Sequence, residues 1–442
     1  KEDGSDAVNE LSYLILDVIE EMRLTQPSSM VQISKKTPNA FLKRALQIIK
    51  TGFGQPSIFN TEAIIQEMLR QGKSLIDARN GGASGCVETG AFGKENYTLT
   101  GYFNLTKILE LTLNNGTDPL TNKQIGLNTG NPSKFRSYND LFAAFKKQLN
   151  YFIDIKIKGN NIIERLYAKY LPAPFLSILI DDCIKKGKDY HNGGARYNTN
   201  YIQGVGIGTI TDSLTAIKYH VYDKKTITIE KLLDALHNNF SKYEELQKIL
   251  INKTPKYGND DDYADEILQE IFEAFFAAVD GRPTTKGGFH RINLLPTTVH
   301  VYFGNMLGAT PDGRNAHEPL SEGISPVQGA DRKGPTSVIK SASKIDHLRT
   351  GGTLLNQKFT PQLLQDDEGI EKLALLIRSY FKLDGHHIQF NVVSAKTLRD
   401  AQKHPDKYKD LIVRVAGYSD YFINLGEKLQ NEIIKRTEHT SL

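Results

Sequence analysis

The sequence predicts an α/β protein. Short apolar stretches of strand character alternate with amphipathic helices along the chain, and loops marked by glycine and proline join them. The length, 442 residues, suits one large α/β unit or two or three ordinary domains. No internal repeat, heptad array or low-complexity segment interrupts this pattern.

Composition narrows the class. Hydrophobic residues make up 39% and charged residues 24%, as in an ordinary globular protein. The 55 basic and 51 acidic side chains are spread through the chain and leave a net charge of +4. No basic block or stripe is present, so no nucleic-acid partner is expected. No apolar run reaches the length of a membrane span and no signal peptide is visible, so no membrane partner is expected and the expected location is cytoplasmic. Two cysteines, Cys86 and Cys183, cannot build a disulfide framework. The chain starts with Lys1 rather than methionine, and the natural N-terminus is expected to lie upstream.

Leu11, Leu14, Ile15, Val18, Ile19 and Met22 recur at helical spacing and predict an amphipathic helix over 7–22. Two more helices are expected over 38–50 and 61–71, joined by the loop Thr51-Gly52-Phe53-Gly54-Gln55-Pro56-Ser57. The stretch Gly81-Gly82-Ala83-Ser84-Gly85-Cys86-Val87-Glu88-Thr89-Gly90 holds four glycines in ten residues. A lone cysteine is more often a small buried hydrophobe than a reactive group. Cys86, at a glycine-lined loop tip with Glu88 two residues on, is poorly placed for core packing. Asn104 is a plausible N-cap for a helix that stops at Asn114-Asn115-Gly116. Residues 138–158 read as a helix pair or one long helix. The apolar run Phe175-Leu176-Ser177-Ile178-Leu179-Ile180 predicts a buried segment, and Cys183 beyond it reads as structural or incidental.

Further along, Gly204-Val205-Gly206-Ile207-Gly208 is not a dinucleotide fingerprint, because the last glycine of G-x-G-x-x-G would fall on Thr209. No Walker sequence occurs either, and no bound nucleotide is expected. A strand and loop feeding a helix over 213–219 is predicted instead. Asn259-Asp260-Asp261-Asp262 lacks the glycine and the spaced ligands of a calcium loop and reads as a helix start. His386 and His387 invite a zinc reading, but adjacent strand residues point to opposite faces and no partners have ligand spacing. Strand packing and hydrogen bonding is the expectation, with no bound metal.

Near the C-terminus, Arg414-Val415-Ala416-Gly417-Tyr418-Ser419-Asp420-Tyr421-Phe422 sets one glycine among bulky residues. Phe422, Leu425, Leu429 and Ile433 then mark a helix with one buried face, so Gly417 is expected in a loop just before a docked terminal helix.

The 414–418 segment, with the following Leu429-Gln430-Asn431-Glu432-Ile433-Ile434-Lys435-Arg436-Thr437-Glu438, resembles the closing segment of the glycyl radical enzymes. Ser84-Gly85-Cys86-Val87-Glu88 is similar to their cysteine loop, and the loops 308–314 and 319–326 resemble theirs as well. The chemistry explains the residue type: an unpaired electron shared between the flanking amide nitrogen and carbonyl needs a nearly planar Cα, which a side chain would crowd.

The resemblance implies a ten-stranded α/β barrel of two half-barrels, with the cysteine and glycine loops inside. It further implies that this chain carries mainly the C-terminal part: 1–310 as barrel domain and 311–442 as glycyl radical domain. The cofactor it implies is a protein-based glycyl radical at Gly417, installed by a radical SAM activating enzyme with an iron–sulfur cluster. Cys86 would then become the thiyl radical and Glu88 the carboxyl that moves a proton to a departing hydroxyl. Val87 in place of a second cysteine argues against acyl transfer.

Leu99-Thr100-Gly101-Tyr102, Thr254-Pro255-Lys256-Tyr257-Gly258-Asn259-Asp260-Asp261 and Leu295-Pro296-Thr297-Thr298 are most similar to the hydroxyproline dehydratase branch. That similarity implies loss of water from trans-4-hydroxy-L-proline to give (S)-1-pyrroline-5-carboxylate, with Tyr102 and Thr297 lining the substrate site, in a homodimer. Each of these two also reads as a buried, hydrogen-bonded core residue. The alternatives are diol or glycerol dehydration, choline cleavage to trimethylamine, decarboxylation of 4-hydroxyphenylacetate, and a non-catalytic radical-domain donor, which the cysteine loop disfavours.

Overall fold

The computed structural model describes residues 1–441. Contacts divide it into two compact units, one of Lys1–Phe92, Gly258–Asp260 and the chain from Glu322 onward, the other of Gly93–Tyr257 and Asp261–Ser321.

A five-stranded sheet forms the frame of the first unit, in the order Met30–Ile33, Ser57–Asn60, His387–Val392, Asn356–Phe359, Glu438–His439. Pairing is parallel except between Ser57–Asn60 and His387–Val392. All six residues of strand His387–Val392 are buried, as expected of a strand covered on both faces. Helix Thr61–Arg70 starts where the Asn60 side chain accepts from the Glu62 and Ala63 N–H groups, and helix Asp367–Lys382 where Asp366 accepts from Gly369.

The second unit is built on three parallel strands, Glu95–Asn104, Tyr197–Val205 and Phe289–Asn293. Asn104 caps helix Leu105–Leu113 by accepting from the Lys107 N–H, and Asp261 caps helix Asp262–Val279. Gly204 sits where a side chain would run into Phe275, Leu294 and Leu105, so its glycine lets sheet and helices close up.

The α/β expectation holds, and several element readings are corrected. The 7–22 helix begins at Glu10 behind an Asn9/Ser12 capping box; Leu16 is its buried residue, while Leu11, Leu14, Ile15, Val18 and Met22 are exposed. Residues 138–158 belong to one helix, Tyr138–Tyr170, because nothing in its interior breaks the hydrogen-bond ladder. The run 175–180 is not buried: it forms the short helix Pro174–Leu179, with Ser177 turned inward onto Ala173 and Asp189 and Phe175, Ile178 and Leu179 facing out. Helix Ile207–Ile217 starts earlier than 213, directly after Gly206, whose positive φ ends the strand. The terminal helix is shorter, Glu427–Lys435; Phe422 and Leu425 come before it and still join Ile433 in one apolar cluster. Cys183 is buried against Gly194.

Candidate active site

Cys86 stands at the tip of a hairpin made by Gly82–Ser84 and Glu88–Gly90. The turn is tight. Gly85 takes φ +63°, and a side chain there would strike the Glu88 carboxylate. Glu88 folds back over its own hairpin, where Oε2 accepts from the Cys86 N–H at 2.8 Å and the Val87 N–H at 3.0 Å. Its Oε1 is buried without a hydrogen-bond partner among the described residues. Burial pushes the Glu88 carboxyl above its ordinary range, against the pull of those two N–H groups. The balance shifts Glu88 toward its acid form.

Two contacts moor this hairpin. The Thr89 N–H donates to the Gly351 carbonyl at 3.0 Å, and His386 Nε2 donates to the Val87 carbonyl at 2.9 Å. The other imidazole nitrogen, Nδ1, lies 2.7 Å from buried Glu67. His386 thus hydrogen-bonds in this bridge as the sequence suggests, whereas His387 only packs, buried against Phe59 with neither ring nitrogen hydrogen-bonded among the described residues, and burial holds it well below the usual imidazole range.

Gly417 stands at the tip of a second hairpin, Ile412–Arg414 with Ser419–Tyr421, closed by the Val415 N–H donating to Tyr418 O at 2.9 Å. It is buried, with φ +84°. A Cβ built on Gly417 would lie 2.5 Å from Cys86 Sγ and 3.0 Å from Cys86 Cα. The thiol of one hairpin tip thus occupies the space that a side chain on the other would need. Both the backbone conformation and the neighbour require glycine.

Side chains from the strands beneath hold the glycine hairpin. Asn391 brackets Arg414, accepting from its N–H at 2.8 Å and donating to its carbonyl at 2.7 Å. The Val415 carbonyl accepts from Arg436 Nη1 at 2.9 Å and from Asn356 Nδ2 at 3.2 Å. The Gly417 N–H donates to Gln389 Oε1 at 3.3 Å. Arg414 is itself fully buried, its guanidinium donating to Gln389, Ser419 and Ser57, and burial lowers it to about 10. Arg414 and Arg436 lie in the segments that carry the resemblance, but the supporting roles of these residues did not stand out in the sequence. The available signal was the alternation of Gln389 and Asn391 with Ile388, Phe390 and Val392, which puts two amides on one face of a buried strand.

Tyr102 and Thr297 belong to the second unit. Gly101, at φ +98°, sits in a register shift of strand Glu95–Asn104, a bulge that re-aims Tyr102. The Tyr102 hydroxyl lies 2.7 Å from Thr297 Oγ1. Thr297 has φ +51°, unusual for a β-branched residue and characteristic of functional sites. Among the described residues no group of three or more His, Cys, Asp or Glu side chains is placed to hold a metal ion, and no helix is long and apolar enough to cross a membrane.

The first site brings a hydrogen-bearing thiol, a side-chain-free Cα and a buried carboxylic acid together. Such a set can pass a hydrogen atom between carbon and sulfur and deliver a proton nearby. Comparison with known proteins agrees with the geometry. Residues 1–304 match the pyruvate formate lyase-like family and residues 320–423 the glycine radical family. The chain is 63% identical over 438 residues to trans-4-hydroxy-L-proline dehydratase of Clostridioides difficile, covering 99% of this chain and 56% of that protein. Against (2S)-3-sulfopropanediol dehydratase of Klebsiella oxytoca the identity is 36%, covering 99% and 54%. The crystal structure of hydroxyproline dehydratase from Clostridioides difficile with trans-4-hydroxy-L-proline bound superposes with a TM-score of 0.98 at 63% identity, covering 100% of this chain and 56% of that one. The B12-independent glycerol dehydratase of Clostridium butyricum, in its glycerol-bound form, superposes at 0.97 with 44% identity over 100% and 56%. The chain spans about half the length of the curated relatives it matches. With both family profiles matched in order and the fold shared, this chain belongs to the pyruvate formate lyase-like family, the glycyl radical enzymes.

Proposed function

We propose that this protein is a glycyl radical dehydratase that removes water from trans-4-hydroxy-L-proline to give (S)-1-pyrroline-5-carboxylate. The observation that carries the reading is the half-buried Cys86 thiol seated against the side-chain-free face of buried Gly417. A radical SAM activating enzyme carrying an iron–sulfur cluster removes one hydrogen atom from Gly417. Gly417 then takes the hydrogen atom of the Cys86 thiol, and the thiyl abstracts one from the substrate ring carbon next to nitrogen. Glu88, whose acid form burial favours, gives its proton to the neighbouring hydroxyl, which leaves as water, and regains one from the ring nitrogen as the C=N bond forms. Cys86 returns its hydrogen to the product radical and recovers one from Gly417. The Gly417 tip is buried and Cys86 is half-buried, which limits solvent access to these intermediates.

Tyr102 and Thr297 line the substrate site in this reading, supported by their mutual hydrogen bond and the strained Thr297 backbone. The working division is 1–310 for the barrel and 311–442 for the radical domain, in a cytoplasmic homodimer. Identity of 63% to a protein named for hydroxyproline favours this substrate over diols, choline or arylacetates.

The test uses the protein expressed from its full reading frame, reduced anaerobically with its activating enzyme and S-adenosylmethionine. A glycyl EPR doublet that is lost in Gly417→Ala, together with pyrroline-5-carboxylate from hydroxyproline, supports the reading. Cys86→Ala should keep the doublet and lose all turnover. A doublet without product reopens the choice of substrate, and turnover in Cys86→Ala removes the proposed mechanism.

A further inference from the structure

We propose that Gln389 is a positioning residue that holds and tunes the radical centre at Gly417; this rests on the glycyl radical reading above. Gln389 Oε1 takes two donors, the Arg414 Nε–H at 2.7 Å and the Gly417 N–H at 3.3 Å. Its Nε2 donates to Asn356 Oδ1, and Asn356 Nδ2 donates to the Val415 carbonyl at 3.2 Å. Asn356 and Gln389 lie directly opposite each other on neighbouring parallel strands. Two paired amides therefore form a bracket whose ends grip Val415 C=O and Gly417 N–H. All of these residues are buried, so water does not compete for the same groups.

The electronic consequence follows from where spin resides. Removing a hydrogen atom from Gly417 Cα leaves one electron that the amide nitrogen stabilises by donating its lone pair, while the carbonyl withdraws. An acceptor on the N–H makes that nitrogen a better donor, so Gln389 Oε1 draws spin off Cα and stabilises the radical. Arg414 works in the opposite direction. Its charged N–H makes the stronger claim on the same oxygen, which keeps the bond to Gly417 long and the radical reactive enough to take hydrogen back from Cys86. The same bracket fixes the peptide plane before Gly417, and with it the direction in which the Cα orbital faces the thiol.

The experiment compares the wild type with Gln389→Leu, which has no acceptor, and Gln389→Asn, which keeps the amide but falls one methylene short. Each is activated as above and read by EPR. With the acceptor gone, spin concentrates on Cα, so the α-proton splitting of the doublet widens in Leu and, less, in Asn. Radical yield per chain falls about fivefold in Leu, the scale of one hydrogen bond. A folded Leu variant with the wild-type splitting and yield overturns the assignment. If the Leu chain does not fold, a wild-type splitting in the Asn variant overturns it equally. No doublet in the wild type undoes the radical reading itself, whereas a normal wild-type doublet with unmoved variants undoes only the role of Gln389.

Discussion

Gly417 is the residue on which the geometry is least forgiving. Alanine there meets both a left-handed φ and the Cys86 side chain, so Gly417→Ala should lower stability by about 2 kcal/mol in denaturant titration, apart from its effect on the radical. Glu88 carries the pH dependence. Burial raises its carboxyl, and the protonated form is the proposed acid, so kcat should be retained at lower pH and fall as pH rises through that raised value. Glu88→Gln should cut kcat about a hundredfold and abolish this alkaline limb; an unchanged limb would assign it to another group. Cys86, Glu88 and Gly417, which the structure brings together, were readable as candidates in the sequence because each is tied to a residue type that the proposed chemistry demands. Gln389, Asn391 and Arg414 were not, since a buried amide in a strand has many ordinary uses and only its partners reveal this one.

Strand His387–Val392 does more than fill a sheet. Asn391→Ala would leave the Arg414 N–H buried without a partner and its carbonyl with only the 3.4 Å bond from Arg436 Nη1, and a loss of about 2 kcal/mol is expected, read as a lower thermal midpoint. Behind the glycine hairpin, Glu322, Asp331, Lys358, Glu432, Arg436 and His439 line a small cavity of about 20 Å³. Burial raises Glu322 from 4.5 to about 7. The native state then holds a proton that the unfolded state releases, so this contribution to stability is full below pH 4.5 and is lost as pH rises toward 7. Glu322→Gln removes the dependence: relative to the wild type it should gain stability across that window, reaching about 3 kcal/mol by neutral pH. Equal pH slopes for the two proteins would refute the buried-acid assignment. Strand and helix positions followed from periodicity, and the starts after Asn104 and at Asp262 from their capping residues, while the starts at Glu10 and Ile207 and the outward face of Pro174–Leu179 did not, because periodicity identifies an apolar face without saying what it meets.

Across the molecule, both compact units keep apolar residues in contact with solvent. Leu11, Leu14, Ile15, Val18 and Met22 share one helix in the first unit, and Phe175, Ile178, Leu179 and Ile184 cluster in the second. Contiguous patches of this kind drive association. Expressed as these 442 residues, the chain should self-associate in light scattering. Leu14→Glu with Val18→Lys should reduce that association while leaving stability within about 0.5 kcal/mol; a large loss of stability would mean that the stripe is packed. The α/β architecture was legible because strand and helix periods alternate, and the family because two short motifs recur in order. How strands far apart in sequence pair was not, since side-chain periodicity carries no register between distant segments. That register has one more effect. His386 moors the cysteine hairpin and Gln389 with Asn391 moors the glycine hairpin, all from the same strand and its leading residue. Thermal displacement of that strand is therefore common-mode: it carries sulfur and carbon together and cancels in their separation, as a shared baseline cancels in a difference measurement.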